Sequence, residues 1–350
     1  MRGAPIRVGL IRCDTHGMWF GPQMEDHDPR LLERATEDPE LQQYETWLRR
    51  GVHYFFYTHY SAPERMTAPR VEGFRIVKLW DERRAAAEVA AKVFHGRPVV
   101  CESFDQVSDD VDLVFIADCN GDGRDHLELA RPGLRKGVPT FVDKPLAHCL
   151  EDALAMVRLA AAHTTPLLSL SILQTNPATA RIARRLEEVG RVSFGTVTSF
   201  SMHPAALIHA ISIVHHVFGT GIRTVRSVSA PQHTALHLDY GSRDDRPVHG
   251  VVINCGVAKF RFTEMFVSAF GPEGAIQGLA LNDWNASEGS ALILEHVKEM
   301  VQSREVSPLG DQMLEAVAVM DAAREAVSSG EPASVMSRSE FDVPGPGDPP

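Results

Sequence analysis

The sequence predicts an α/β protein with a doubly wound parallel sheet in its first half and a large, open, mostly antiparallel sheet in its second half. In the first half, short apolar strands alternate with helices, which is the pattern of a parallel sheet covered on both faces. After Gln174 the pattern changes, and β-rich segments follow one another with turn residues between them. Consecutive strands of this kind are typical of antiparallel pairing.

The elements of the first half can be placed in order. Six apolar segments are predicted as strands: residues 6–11, 74–80, 98–103, 112–118, 139–147 and 166–172. Helices are predicted over residues 81–94, 126–137 and 150–163. Asp81 is expected at the N-cap of the first helix, where its side chain would accept from free backbone N–H groups.

The second half contains β-rich segments and three predicted helices. The β-rich segments are residues 192–202, 224–230, 234–240, 248–256 and 259–270, and the helices are 204–218, 290–302 and 311–330. We therefore predict one domain over residues 1–172 and another over 173–340. The last helix, at about 309–329, is expected to pack back on the first domain, and the Pro/Gly-rich residues 341–350 to form a disordered tail.

Residues 21–72, approximately, form an insertion where a nucleotide-binding domain usually has one helix. Asp28-Pro29 and Asp38-Pro39 are two helix starts, each an N-cap followed by proline, and Gly51 ends the second helix. The aromatic stretch "VHYFFYTHY" follows. Two roles stay open: a packing or oligomer arm, and a lid that helps to form a substrate pocket.

Composition narrows the class of ligand. The net charge of −11 and the lack of a dense Lys/Arg run argue against nucleic acid and favour a small-molecule ligand. No signal peptide and no apolar run of membrane-spanning length is apparent. The five scattered cysteines have no C-x-x-C pair, so we predict reduced thiols, a cytoplasmic protein and no metal site.

The stretch "RVGLIRCDTHGMWFG" begins like the first strand of a nucleotide-binding domain and turns where a glycine-rich phosphate loop is expected. Only Gly17 stands at an expected glycine position, since Arg12 and Asp14 replace the other two. A side chain at the second position keeps phosphates away, and a carboxylate repels them. Pairing of Arg12 with Asp14 or with a phosphate would offset this repulsion. The sequence leaves both a working loop and a vestige open.

Four stretches carry a family resemblance. They are the first strand, the long run from "VDLVFIADCNGDG" to "FVDKPLAHCLEDA", the helix around His209, and "LEAVAVMDAAREAVSSGEP". Together they make the chain similar, over nearly its whole length, to the Gfo/Idh/MocA oxidoreductases, in a subfamily with an atypical glycine loop. The resemblance implies an N-terminal Rossmann domain followed by an α/β domain with a large open sheet. It also implies hydride transfer between NAD(H) or NADP(H) and a hydroxyl-bearing carbon of a sugar, cyclitol, glycoside or related molecule.

The resemblance also implies catalytic residues. Asp143-Lys144-Pro145 matches the family's signature, which makes Lys144 the catalytic lysine, and His209 matches its catalytic or substrate-binding histidine. The carboxylates usual before and after that histidine are Ala205 and Ser212 here, so His203 is a candidate substitute. Helical spacing puts His209 and Ser212 on one face, which we expect to point away from the core.

The cofactor-binding candidates lie at three places along the first domain. They are Arg12, Asp14, Thr15, His16 and Gly17 in the loop, Asp81 after the second strand, and Asn120, Asp143 and Lys144 after the fourth and fifth strands. Asp81 favours NAD because an acid there accepts from the adenosine ribose, while Arg83 and Arg84 keep NADP possible. His126 is expected to cap or to pack.

These candidates predict an NAD(P)-dependent dehydrogenase or reductase that acts on a polyol or sugar-like molecule. The family resemblance also implies a homodimer or a homotetramer. Two alternatives stay open. One is a redox-neutral lyase or glycoside-cleaving enzyme with tightly bound NAD. The other is a non-catalytic ligand sensor or partner subunit, which the altered loop and the two lost carboxylates would favour.

Overall fold

The computed structural model describes residues 4–13, 15–34, 52–58, 62, 65–118, 122–256, 264–341 and 343. Asp14, Asn120, the helix start at Asp38-Pro39, Gly51 and nearly all of the predicted tail lie outside these residues. None of the described helices is both long and apolar enough to cross a membrane.

The first sheet has six parallel strands in the order β3-β2-β1-β4-β5-β6, as a doubly wound sheet requires. The strands are β1 (Ile6–Ile11), β2 (Phe74–Trp80), β3 (Val99–Val100), β4 (Leu113–Ile116), β5 (Thr140–Val142) and β6 (Leu167–Leu168). All four side chains of β4 are buried because helices cover both faces of the sheet. The chain runs outward in one direction from β1 to β3 and in the other from β4 to β6. This reversal opens a crevice at the carboxyl ends of β1 and β4.

Helices connect these strands and fill the insertion. They are α1 (Thr15–Met24), α2 (Pro29–Glu33), α3 (His53–Phe56), α4 (Arg84–Val93), α5 (His126–Arg135) and α6 (Leu150–Ala162). The predicted start at Asp28-Pro29 is confirmed, since the Asp28 carboxylate accepts from the backbone N–H of Arg30 at 2.8 Å. Helix α4 begins three residues later than predicted, after Arg83. Asp81 is therefore not its N-cap.

The second sheet has seven strands in the order β12-β11-β7-β10-β9-β8-β13. They are β7 (Phe194–Ser199), β8 (Thr224–Ala230), β9 (His233–Asp239), β10 (Val251–Gly256), β11 (Val267–Gly271), β12 (Gly274–Gln277) and β13 (Ala333–Ser334). Among the described strands of this second sheet, only the β7–β10 pairing is parallel, so the expectation of a mostly antiparallel sheet is confirmed.

Four helices accompany the second sheet: α7 (Pro177–Arg184), α8 (Pro204–Phe218), α9 (Asp283–Ser303) and α10 (Met313–Ser329). Helix α7 was not predicted, although Asn176 caps it and Pro177 follows, the same signal as at Asp28-Pro29. Helix α9 begins seven residues earlier than predicted because Asn282 and Asn285 form a capping box.

Helices α9 and α10 connect the two halves of the molecule. Asp321 of α10 accepts from the backbone N–H of Leu150, at the start of α6, at 2.8 Å. On α9, Gly289 packs directly on the chain that leaves β6, and its carbonyl accepts from Thr175 Oγ1 at 2.9 Å. Phe341, predicted as the start of a disordered tail, is buried instead, with 1% of its surface exposed.

The described part of the insertion also packs on α9. The ring centres of Trp19, in α1, and Phe55 are 5.3 Å apart. The ring centres of Phe55 and Trp284, at the start of α9, are 5.2 Å apart. Trp19 Nε1 donates to Ser290 Oγ at 3.0 Å. These contacts tie the insertion to both domains, whereas its role as a lid stays a prediction.

Candidate active site

The crevice between β1 and β4 divides the candidate site into two sides. In a sheet of this order a dinucleotide lies across the crevice, with its adenosine towards β2 and its nicotinamide towards β5. Asp81 and Arg12 lie on the adenosine side, and His16, Asp143 and Lys144 lie on the nicotinamide side.

Asp81 lies at the carboxyl end of β2 and is buried. One carboxylate oxygen accepts from the backbone N–H of Cys13 at 2.7 Å, and the other from that of Arg83 at 2.9 Å. Burial raises the pKa of Asp81, and the two N–H groups and Arg12 oppose the rise. The carboxylate thus holds the β1–α1 loop against β2, and each oxygen keeps a lone pair for a ribose hydroxyl.

Arg12 takes over the turn that a glycine usually makes. Its φ of 71° lies in the left-handed region that glycine adopts freely. Its guanidinium pairs with Glu82, at 3.1 Å, and with Asp125, and lies 5.7 Å from the centre of the Trp80 ring. The side chain therefore spans the adenosine side from the end of β2 to the start of α5. The expected pairing with Asp14 lies outside the described residues.

Gly17 keeps the role of the third glycine. A Cβ at this position would overlap the backbone carbonyl of Arg12. Helix α1 therefore begins in direct contact with the loop, which aims its first-turn N–H groups at the crevice. The backbone of Thr15 lies in this first turn.

His16 and Asp143 meet across the end of β4. Nδ1 of His16, in the first turn of α1, is within hydrogen-bonding distance of Oδ2 of Asp143, directly after β5. The other oxygen, Oδ1, accepts from the backbone N–H of Lys144 at 2.8 Å. Asp143 has no exposed surface, and the His16 side chain is 13% exposed. Both residues were predicted as cofactor ligands, but the contact between them was not.

Lys144 is buried at the same edge of the sheet. Its Nζ lies 3.5 Å from the carbonyl oxygen of Ala205, in the first turn of α8. Among the described residues it forms no ion pair with a carboxylate. The fold thus holds the Lys144 ammonium in place, and none of the described carboxylates pairs with it directly.

His209 lies one helical turn further along α8, and the prediction that its face points away from the core is wrong. His209 and Ser212 are both buried, because α8 is enclosed between the two domains. Nδ1 of His209 lies 2.6 Å from Ser171 Oγ. Burial lowers the pKa of His209 well below its usual value, and the nearby Lys144 and His16 lower it further. His209 is therefore neutral at pH 7.

His203 does not belong to this group. It is exposed at the N-cap of α8, and its Nδ1 accepts from the backbone N–H of Ala205 at 3.3 Å. The structure corrects the expectation that His203 replaces a lost carboxylate, because its ring nitrogen caps the helix instead.

A small cavity beside Lys144 was not predicted from the sequence. It holds about 20 Å³, enough for one water molecule. Ser171, Gln174, Ser212 and Gln312 are among the residues that line it, and Gln174 Nε2 donates to Gln312 Oε1 at 2.6 Å. No local spacing in the sequence joins these residues, since they come from the β6–α7 connection, α8 and the turn before α10.

His126 and Asp118 form a buried ion pair beneath the crevice, at 3.4 Å. Burial alone would raise the pKa of Asp118, but His126 and Arg12 outweigh it and lower the pKa to about 2. Burial alone would lower the pKa of His126, but the neighbouring Asp118 outweighs it and raises this pKa above its usual value. Asp118, Asp125 and His126 also bring three possible ligand atoms within 4.8 Å of one another. The guanidinium of Arg12 already pairs with the Asp125 carboxylate, and its positive charge disfavours a metal cation at this place.

The His126–Asp118 ion pair should make the stability of the protein depend on pH. The raised pKa of His126 means that its contribution to stability is complete below pH 6.5 and is lost as the pH rises through the folded-state value. We expect His126→Gln to lower the Tm more at about pH 6 than at about pH 9, measured by thermal denaturation. His233→Gln, at an exposed histidine of the β8–β9 hairpin, is the control. An equal loss at both pH values would contradict the ion pair.

The fold and this site together define a two-domain, NAD-binding oxidoreductase. Residues 51–169 match the family model described as "Oxidoreductase family, NAD-binding Rossmann fold", GFO_IDH_MocA. Within these residues the match confirms the resemblance to the Gfo/Idh/MocA oxidoreductases. The expected class of cofactor, NAD, is confirmed with it. No relative was found among curated protein sequences.

Solved structures share the fold at low sequence identity. A scyllo-inositol dehydrogenase from Lactobacillus casei, with bound NAD(H) and scyllo-inositol, is 13% identical with a TM-score of 0.68, covering 95% of this chain and 100% of its own. A myo-inositol dehydrogenase from Corynebacterium glutamicum is 12% identical with a TM-score of 0.67, and the match covers 95% of this chain and 99% of its own. An oxidoreductase from Agrobacterium radiobacter, in complex with NAD+, L-tartaric acid and magnesium, is 15% identical with a TM-score of 0.67, over 95% and 99%.

The described residues fit the cofactor of this family. Gly17 keeps the helix start close to the loop, Asp81 keeps acceptor lone pairs at the ribose position, and the buried Nε of Arg12 has no hydrogen-bond partner among the described residues. A donor of this kind on the adenosine side suits an oxygen-rich ligand.

Proposed function

We propose that this protein is an NAD-dependent dehydrogenase that acts on a hydroxyl-bearing carbon of a sugar, cyclitol or related polyol. The observation that carries the proposal is the placement of Lys144. Its ammonium is buried on the nicotinamide side of the crevice without an ion-pair partner among the described residues. A cation so placed is suited to donate to a substrate oxygen on which negative charge develops.

Bound NAD supplies a hydride acceptor, and the side chains around it position the alcohol. Lys144 donates to the hydroxyl oxygen and stabilises the alkoxide character that grows as the carbon loses hydride. His209 is neutral, and Ser171 holds its Nδ1, so the other ring nitrogen is left for a neighbouring substrate hydroxyl. Several hydroxyl groups on one small molecule would engage both residues at once, which is why we propose a polyol.

The similar structures support this class of substrate. Two of them are inositol dehydrogenases, and one holds scyllo-inositol. In this chain, Ala205 and Ser212 replace the carboxylates that the family resemblance leads one to expect. A substrate hydroxyl therefore meets neutral groups on α8, and we expect the preferred polyol to differ from that of a relative with carboxylates there.

The test is a panel of cyclitols, aldoses and glycosides offered with NAD+ and, separately, with NADP+. We expect NADH formation with at least one of them, and a roughly tenfold or greater loss of kcat/KM with NADP+, because the Asp81 carboxylate repels a 2′-phosphate. Calorimetry measures the binding of both cofactors alone. Conversion of a glycoside without net NADH would instead favour the redox-neutral alternative, and absence of NAD binding at millimolar concentration would contradict the proposal.

A further inference from the structure

We propose that His16 is the base of this reaction, accepting the proton of the substrate hydroxyl at Nε2, and that Asp143 is its positioning residue. This inference rests on the proposed function, which it deepens by assigning the proton. The relevant geometry is an imidazole on the nicotinamide side, paired through Nδ1 with a carboxylate that has no contact with solvent.

The contacts of Asp143 determine the tautomer of His16. The carboxylate can only accept, so neutral His16 carries its proton on Nδ1 and leaves the lone pair on Nε2. The backbone N–H of Lys144 holds the second carboxylate oxygen at 2.8 Å and fixes its orientation. A carboxylate held in this way keeps the ring in one orientation and stabilises the imidazolium that forms when Nε2 gains a proton.

His209 lacks these features. Its Nδ1 faces the hydroxyl of Ser171, and the helix positions where a carboxylate would support it carry Ala205 and Ser212. A neutral hydroxyl stabilises an imidazolium far less than a buried carboxylate does. On the nicotinamide side, the carboxylate–imidazole pair therefore joins α1 to the residue after β5, while α8 presents the neutral His209.

The chemical step balances with the groups named. The O–H bond of the substrate breaks, and its proton forms an N–H bond at Nε2 of His16. The C–H bond breaks, its electron pair leaves as hydride to the nicotinamide ring, and the carbon–oxygen bond becomes a carbonyl. The alcohol is oxidised and NAD+ is reduced, and the imidazolium later releases its proton to water. Lys144 stays protonated throughout and holds the oxygen.

The first test needs no substrate. Protein labelled with ¹⁵N-histidine is measured by NMR at neutral pH, and the His16 ring is assigned by the signal that disappears in His16→Gln. We expect the Nδ1–H tautomer in the unmodified protein and a shift towards Nε2–H in Asp143→Asn. An Nε2–H tautomer in the unmodified protein, or an unchanged tautomer in Asp143→Asn, would overturn the inference.

The second test measures turnover and NAD binding for both variants, with the best polyol of the panel. We expect kcat to fall about 100-fold, the usual effect of losing a positioned base, while the Kd for NAD+ stays within threefold. The acidic limb of the pH profile of kcat/KM should disappear. Among the described residues, Asp143 contacts His16, and His209 lies near both His16 and Lys144. The profile is therefore also recorded for Ser171→Ala, which removes the hydroxyl that contacts Nδ1 of His209. His233→Gln is the matched surface control.

The outcomes separate the inference from the proposed function. If no polyol is oxidised, the proposed function fails, and the tautomer measurement still decides whether Asp143 orients His16. If polyols are oxidised but His16→Gln keeps its kcat and binds NAD+ more than tenfold more weakly, His16 is a cofactor ligand and the inference is wrong. If Ser171→Ala rather than His16→Gln removes the acidic limb, His209 is the base.

Discussion

Lys144→Ala is expected to lower kcat for polyol oxidation by about 10³ to 10⁴, near the upper end of what one positioned proton-handling or charged group contributes. The alanine leaves the developing negative charge on the substrate oxygen without its cation, in a site from which the fold excludes most water. NAD affinity should change only a few-fold, because Asp81 and Arg12 lie on the adenosine side of the crevice, away from Lys144. Steady-state kinetics and calorimetry on the same preparation measure both effects.

Lys144→Arg is the informative companion to this variant. Guanidinium keeps the charge, but it is planar and larger than ammonium, and the small cavity next to Lys144 and the carbonyl of Ala205 leaves room only for a compact cation. We expect the arginine variant to recover less than a tenth of the activity that the alanine variant loses. Full turnover of Lys144→Ala on the true substrate would show that the oxygen is held elsewhere, and the mechanism would then be wrong.

Gly289→Ala is expected to destabilise the protein by about 2–4 kcal/mol, against a helix-propensity gain of about 1 kcal/mol. A Cβ at this position of α9 would overlap the carbonyl oxygen of Ile172 and come within 3.3 Å of the backbone N of Asn176. Both neighbours are backbone atoms of the chain between β6 and α7, so no side-chain rotation relieves the overlap. Thermal and denaturant unfolding should both show the loss.

Glu288→Ala is the control for this prediction. Glu288 is the preceding residue on the same helix but is exposed, so its replacement should change the stability by less than about 0.5 kcal/mol. A Tm for Gly289→Ala equal to or above that of the unmodified protein would show that α9 can move away from the β6–α7 connection. The close packing described here would then not be required.

Much of the fold was predictable because local patterns decide it. Apolar runs such as that of β4, and caps such as Asp28, predict strands and helix starts without knowledge of distant contacts. The predictions fail where a contact distant in sequence decides the structure instead. Asp81 looks like an N-cap in sequence, but the backbone N–H of Cys13, which lies 68 residues away, competes for its carboxylate. The burial of Phe341 depends on contacts that a Pro/Gly-rich composition does not reveal.

Single residues of the site could be predicted from the sequence, but the contacts between them could not. The signature around Lys144 and the position of His209 follow from resemblance, and helical spacing assigns a face to His209. The sequence does not say what covers that face, and helix packing between the two domains buries it. His16 and Asp143 are 127 residues apart and meet only because β1, β4 and β5 are neighbours in the sheet. Sequence spacing carries no information about such a contact.

The bridging position of α9 has a consequence for the time course of catalysis. Gln23 of α1 donates to the carbonyl of Ser287 on α9 at 2.9 Å, and on the other side α10 is bound to α6 through Asp321. With the halves fastened at two separate places, a wide hinge motion would break both sets of contacts. The dinucleotide is then expected to enter and leave past the loops, with a long residence time. NADH release, followed by stopped-flow fluorescence, would be the slowest step of each turnover.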